Sequence, residues 1–131
     1  VTKINKTAKA SNILVSNLGL RDMLSEDMLR KYVAQYSFPT TLRFALIFVV
    51  ESFDSMAKTA SIWVIILQTA DSEVVLCEKF MKTPSGFGAR NYWARTFYNL
   101  LFDIKNHDYL RWENMVKEQE LQHTDIINPI I

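Results

Sequence analysis

Cysteine is almost missing from this chain. Cys77 is the only one in 131 residues, so no internal disulfide can form. It stands in an apolar run and reads as a small buried hydrophobe; a reactive thiol would want cationic neighbours and exposure. The composition suits a reducing, intracellular compartment, cytoplasmic or nuclear. Histidine is nearly as scarce. His107 and His123, with one distant cysteine, do not supply the several ligands at set spacing that a metal site needs, so neither a metal nor another cofactor is expected. His107, beside Asp108, reads as a loop residue. Long hydrophobic runs are also lacking. The longest apolar stretches, residues 44–50 and 62–67, are strand-sized and far short of a membrane span. Residues 1–11 are polar and basic, without the apolar core of a signal peptide. Internal repeats and low-complexity segments are absent.

Catalytic signatures are equally thin. No G-x-S-x-G nucleophile motif occurs. Gly86-Phe87-Gly88 lacks the third glycine and the Lys-Ser/Thr of a phosphate loop, and reads as a tight turn. Glu51 and Asp54 could be imagined as an acid and a base, but a solvated loop is the better reading of both. The sequence recommends no enzyme.

Charge of one sign does not dominate. Fifteen basic residues face fourteen acidic ones, for a net charge of +1. A protein that lives on phosphate contacts usually shows a clear basic excess. The one bias is at the start, where Lys3, Lys6 and Lys9 precede any acid. That stretch reads as a flexible basic tail over residues 1–12.

What is present is a core and a pattern. Apolar residues make up 49% of the chain and charged residues 22%, enough to fold one domain. An apolar patch over 13–20, broken by Gly19, has no firm assignment. Ser25 is a good helix N-cap, followed by Glu26 and Asp27 at the positive end of the dipole. Leu29, Tyr32 or Val33, and Tyr36 recur at helical spacing, and Pro39 ends that helix. Residues 42–51, 60–68 and 73–81 read as three strands, with a polar loop over 52–59 and a turn at 69–72. The short second connection makes strands two and three an antiparallel hairpin. After a Pro84, Gly86, Gly88 loop, Trp93, Phe97, Leu100, Leu101 and Ile104 stripe a helix over 89–105. Asn106-His107-Asp108 should break it. A last helix over 108–121 carries Tyr109, Trp112, Met115 and Val116, and residues 122–131 read as an extended tail. The domain is therefore residues 13–121.

Strands one and two do not alternate apolar with polar. Phe44, Leu46 and Phe48 oppose Ala45, Ile47 and Val49, and Ile62, Val64 and Ile66 oppose Trp63, Ile65 and Leu67. Both sheet faces are apolar and both want cover. The last helix, or a second copy of the chain, is expected on the face that the other two helices leave open.

Residues 29–44, Leu-Arg-Lys-Tyr-Val-Ala-Gln-Tyr-Ser-Phe-Pro-Thr-Thr-Leu-Arg-Phe, and residues 89–101, Ala-Arg-Asn-Tyr-Trp-Ala-Arg-Thr-Phe-Tyr-Asn-Leu-Leu, resemble the two helices of the double-stranded-RNA-binding domain. The resemblance covers roughly residues 25–105. It implies an α+β fold of order α-β-β-β-α, a three-stranded antiparallel sheet with two helices on one face, here with an extra C-terminal helix. It also marks departures. Gly86 and Phe87 stand where two lysines of the family's phosphate-gripping cluster would be, and only Arg90 keeps a cation there. Residues 52–59 lack the Gly-Pro-x-His-like segment that enters a minor groove. Tyr92 and Trp93 replace small residues early in the second helix.

These departures point to a family member that works by protein contact, as a homodimer or docked to a protein partner in an RNA-processing or RNA-silencing assembly. Trp63, Val74, Leu76, Phe80, Tyr92, Trp93 and Trp112 are its candidate interface residues, with the edge of strand three as a pairing site. The alternative is weak binding of double-stranded RNA through Arg30, Lys31, Lys58, Lys82 and Arg90. A third reading is an unrelated structural or assembly protein, such as a viral matrix component, marked by a different strand order or helix placement.

Overall fold

A computed structural model of the chain describes residues 24–39 and 41–127. The basic tail, the apolar patch over 13–20 and residues 128–131 lie outside the described residues. Helix α1 spans Glu26–Val33 and opens where expected: Ser25 Oγ accepts the Met28 N–H at 3.2 Å. It closes earlier than Pro39 requires. Tight turns carry the chain on, the Gln35 and Tyr36 N–H groups donating to the Tyr32 and Val33 carbonyls.

Strands β1 (Phe44–Asp54), β2 (Thr59–Gln68) and β3 (Val74–Lys82) form an antiparallel sheet of order β1-β2-β3. The first connection is a tight hairpin with Lys58 at positive φ. Asp54 Oδ1 accepts the Ala57 N–H there at 2.8 Å. So β1 runs on three residues into the expected loop, to Asp54, and its register with β2 shifts once, at Glu51, between Val50 and Ser52.

Both sheet faces are covered, as the two-faced apolar strands require. On one face Ile62, Val64 and Leu76 pack with Leu100, Ile104 and Trp112. On the other, Ile65 and Leu67 pack with Leu29 and Val33 of α1. Central strand β2 supplies Ile62, Val64, Ile65 and Leu67, all fully buried. Each contributes roughly 1.5–3 kcal/mol by leaving water.

The helices are distributed differently from the expectation. The two that share a face are α2 (Ala89–Asp103) and α3 (Tyr109–Ile127), while α1 lies alone on the opposite face. The pair that resembles the double-stranded-RNA-binding domain is thus split across the sheet. Asn106-His107-Asp108 does not break the helix either. Residues Ile104–Asp108 form a π turn that joins α2 to α3, with Asn106 Nδ2 donating to the Phe102 carbonyl at 2.8 Å. A π turn inserts one extra residue into a helix. The insertion lets the α2 stripe and the α3 stripe, Trp112 and Met115, meet the same sheet face. Nor do residues 122–127 form an extended tail, since α3 continues to Ile127.

Candidate protein-interaction edge

The sheet has two edges, and they are built differently. Strand β3 is laced with charge. Glu78 pairs with Arg111 of α3 at 2.5 Å, Lys79 with Glu51 at 2.5 Å, and Lys82 with Asp103 of α2. The Arg111 hydrogen bond holds the Glu78 carboxyl below its ordinary range, and the Lys82 hydrogen bond does the same for Asp103. Charged, inward-tied side chains discourage a further strand. The pairing site expected on strand three thus carries three ion-paired side chains.

Strand β1 has none of these devices before its bulge. Residues 44–50 contain no charge, proline or glycine. The direction of its backbone groups follows from two hydrogen bonds. The Thr69 N–H donates to the Arg43 carbonyl at 3.0 Å, whereas the Gln68 N–H turns away to the Glu73 carbonyl at 2.8 Å. Arg43 therefore faces β2 and Phe44, which lies opposite Gln68, does not. Alternation along an antiparallel strand then sends the N–H and C=O groups of Phe44, Leu46, Phe48 and Val50 to the open edge.

Among the described residues, the helices leave this edge partly uncovered on both sides. Toward α3, a groove of about 450 Å³ runs between Phe44, Leu46, Tyr109, Trp112 and Val116. Toward α1, a groove of about 520 Å³ runs between Tyr32, Tyr36, Ile47, Val49 and Val50. Leu46 is 53% exposed and Val50 40%. The rim beside α3 carries both signs, in the pairs Arg43–Glu120 at 3.0 Å and Lys117–Glu113 at 2.8 Å.

The bulge closes the apolar stretch and buries Glu51. Its side chain is 1% exposed. Oε1 accepts the Leu24 N–H at 3.1 Å and the Trp63 indole N–H at 3.4 Å, and Oε2 meets Lys79. Neither Glu51 nor Asp54 is the solvated loop residue expected. Glu51 is a buried half of an ion pair, and Asp54 caps a turn. Cys77 is half-buried on the same face; burial first, then the Glu26 carboxylate, pushes its thiol up.

The expected interface residues do not assemble into a surface. Leu76 and Trp112, 3% and 5% exposed, are core. Phe80 packs edge-on against Trp112, and Val74 and Trp63 pack under α1. Trp93 stacks on Phe53, and Tyr92 sits edge-on to Trp93. The signal in the sequence is the uncharged run 44–50 of strand one, where strand three carries Glu78, Lys79 and Lys82. Edge position needs the strand order, which periodicity does not carry.

The expected RNA contacts do not gather either. Arg30 is tied to Glu26 at 2.6 Å, and Lys31 shares its helix, α1. Arg90 starts α2, on the opposite face of the sheet. Lys58 is in the β1–β2 turn, and Lys82 is neutralised by Asp103. Among the described residues no group of histidine, cysteine or acid side chains could hold a metal, and no helix is long and apolar enough to cross a membrane. Comparison with family profiles, with curated proteins and with solved structures finds no match to this chain.

Proposed function

We propose that this chain is a non-catalytic module that works by protein–protein contact, through the open edge of β1. The observation that carries the reading is the contrast between the two edges: β3 carries three ion-paired side chains, while among the described residues nothing pairs with the outward backbone groups of Phe44, Leu46, Phe48 and Val50, which lie between two apolar grooves. Edge strands of this kind gain main-chain hydrogen bonds from an added strand and specificity from its side chains.

The placement of α1 and α2 on opposite faces favours a structural or assembly role outside the double-stranded-RNA-binding family. An RNA-processing or RNA-silencing setting rests on the sequence resemblance alone. The dispersal of Arg30, Lys31 and Arg90 supports protein over RNA as the partner.

Paired baits test the reading. Wild-type and Leu46→Lys chains are compared for the proteins they retain, added copies of this chain included. The expected result is a partner held by the first and lost from the second. Equal retention by both would overturn the edge reading. A parallel titration uses an RNA duplex of about 20 base pairs, longer than the roughly 16 that a double-stranded-RNA-binding domain spans. Salt-sensitive binding abolished by Arg90→Ala would move the assignment to RNA.

A further inference from the structure

We infer that the partner at the β1 edge is a second copy of this chain, joined antiparallel about a two-fold axis through Ile47, so that two three-stranded sheets become one of six. The inference rests on the edge-contact reading above and names its occupant.

Three observations select a second copy. The first is self-complementarity. A two-fold at Ile47 sets Phe44 opposite Val50 and Leu46 opposite Phe48, the four residues whose backbone groups face outward. Every one of those groups then finds a partner, for roughly eight main-chain hydrogen bonds. Ile47, whose own N–H and C=O serve β2, meets its counterpart as a non-hydrogen-bonded pair. Such pairs bring β-branched side chains closest. No charged residue faces its own copy in this stretch.

The second is charge. A rim of one sign would repel a copy of itself. Here Arg43 and Lys117 are ion-paired with Glu120 and Glu113, so the α3 flanks of two copies carry no net repulsion, and the groove toward α1 is lined by uncharged residues. The third is area. Residues 44–50 span roughly 23 Å of strand. With a helix layer on each side of the sheet, the end face of the molecule is roughly 20–25 Å deep. That gives roughly 500 Å² per copy and 1,000 Å² in all, which meets the roughly 1,000 Å² that a specific interface should clear and exceeds most lattice contacts, the size of a small, reversible dimer contact.

The register is tested by cross-linking the full chain. In a Cys77→Ala background, Ile47→Cys should form an interchain disulfide on mild oxidation. The two Cα atoms would be about 4.5 Å apart, within disulfide range. Ala45→Cys should not, because its counterparts would be about 13 Å apart. Sedimentation equilibrium provides the second measurement. Leu46→Lys should weaken the dimer at least about 100-fold, since each lysine enters the interface beside its like-charged counterpart. Leu46→Glu should do the same, and mixing the two variants should restore a dimer containing one of each.

A dimer that cross-links at 47 and not at 45, with rescue on mixing, is the expected result. A dimer that neither cross-links at 47 nor responds to Leu46→Lys would overturn the inference. A chain that stays monomeric would also overturn it; if its wild-type bait then still held a different protein that Leu46→Lys loses, the edge-contact reading would survive without the second copy.

Discussion

Trp93 of α2 stacks on Phe53 of β1, their ring centroids 4.6 Å apart and their planes inclined by 26°. The contact ties the start of a helix to the far end of an edge strand. The ring of Tyr92 stands edge-on to Trp93 at 5.0 Å.

Both stacked rings are partly exposed, so their loss should cost less than that of a core aromatic. Trp93→Ala is expected to lower stability by about 2 kcal/mol in urea unfolding. A double-mutant cycle with Phe53→Ala should show a coupling of about 0.5–1.5 kcal/mol, the range for an aromatic pair. Additive losses would mean that the rings merely neighbour one another.

The Glu51–Lys79 pair makes a sharper demand. Its carboxylate is buried beneath the turn that enters α1, held by a main-chain N–H and an indole N–H as well as by Lys79. Removing one partner leaves a charge in a poor solvent for it. Lys79→Met should therefore destabilise by about 3 kcal/mol. Replacing both, as Glu51→Leu with Lys79→Met, should recover part of that loss, because no buried charge remains. A double variant less stable than Lys79→Met would show that the carboxylate's bonds to Leu24 and Trp63 outweigh its desolvation.

Acid should loosen the helix layer through Glu78. Arg111 of α3 grips this carboxylate with two hydrogen bonds, at 2.5 and 2.8 Å, and holds its pKa below the ordinary 4.5. A carboxyl depressed on folding binds its proton more readily in the unfolded chain. Its contribution is thus complete above about pH 4.5 and fades as pH falls from there through the folded value. Arg111 is half-exposed, which keeps the contribution near 0.5–1 kcal/mol. In unfolding curves between pH 6 and pH 3, Glu78→Gln should lose less stability than the parent. Parallel curves would remove Glu78 from the acid response.

Much of the fold is legible in the sequence, for identifiable reasons. Ser25 reads as an N-cap because its hydroxyl suits the free N–H groups at a helix start, and it is one. The double-sided apolar pattern of residues 44–50 and 62–67 demands cover on both faces, and both are covered. What stays hidden is how segments are shared between those faces. Which helix covers which face depends on connection geometry, and the stripes of α1 and α2 fit either side. The π turn is hidden for a related reason. Asn106-His107-Asp108 has poor helix propensity, and only the packing of Ile104 and Trp112 on one face outweighs it. Glu51 misleads because local polarity suggests a loop, while its partner Lys79 lies two strands away.

Leu46 and Leu76 provide the most economical check of the edge. Register places them in one row across the sheet, on the same face, with Ile66 between them. Leu76 is 3% exposed and packed against the α2–α3 layer, while Leu46 is 53% exposed at the open edge. The same substitution should therefore have opposite consequences. Leu76→Lys buries an unpaired ammonium and should cost more than about 4 kcal/mol, enough to unfold a domain of ordinary stability. Leu46→Lys, measured in dilute solution where association is negligible, should change the unfolding free energy by less than about 0.5–1 kcal/mol. Its effect should appear only in binding. If Leu46→Lys destabilises the dilute chain as Leu76→Lys does, position 46 is part of the core, and its loss of contacts would report on folding instead of on an interface.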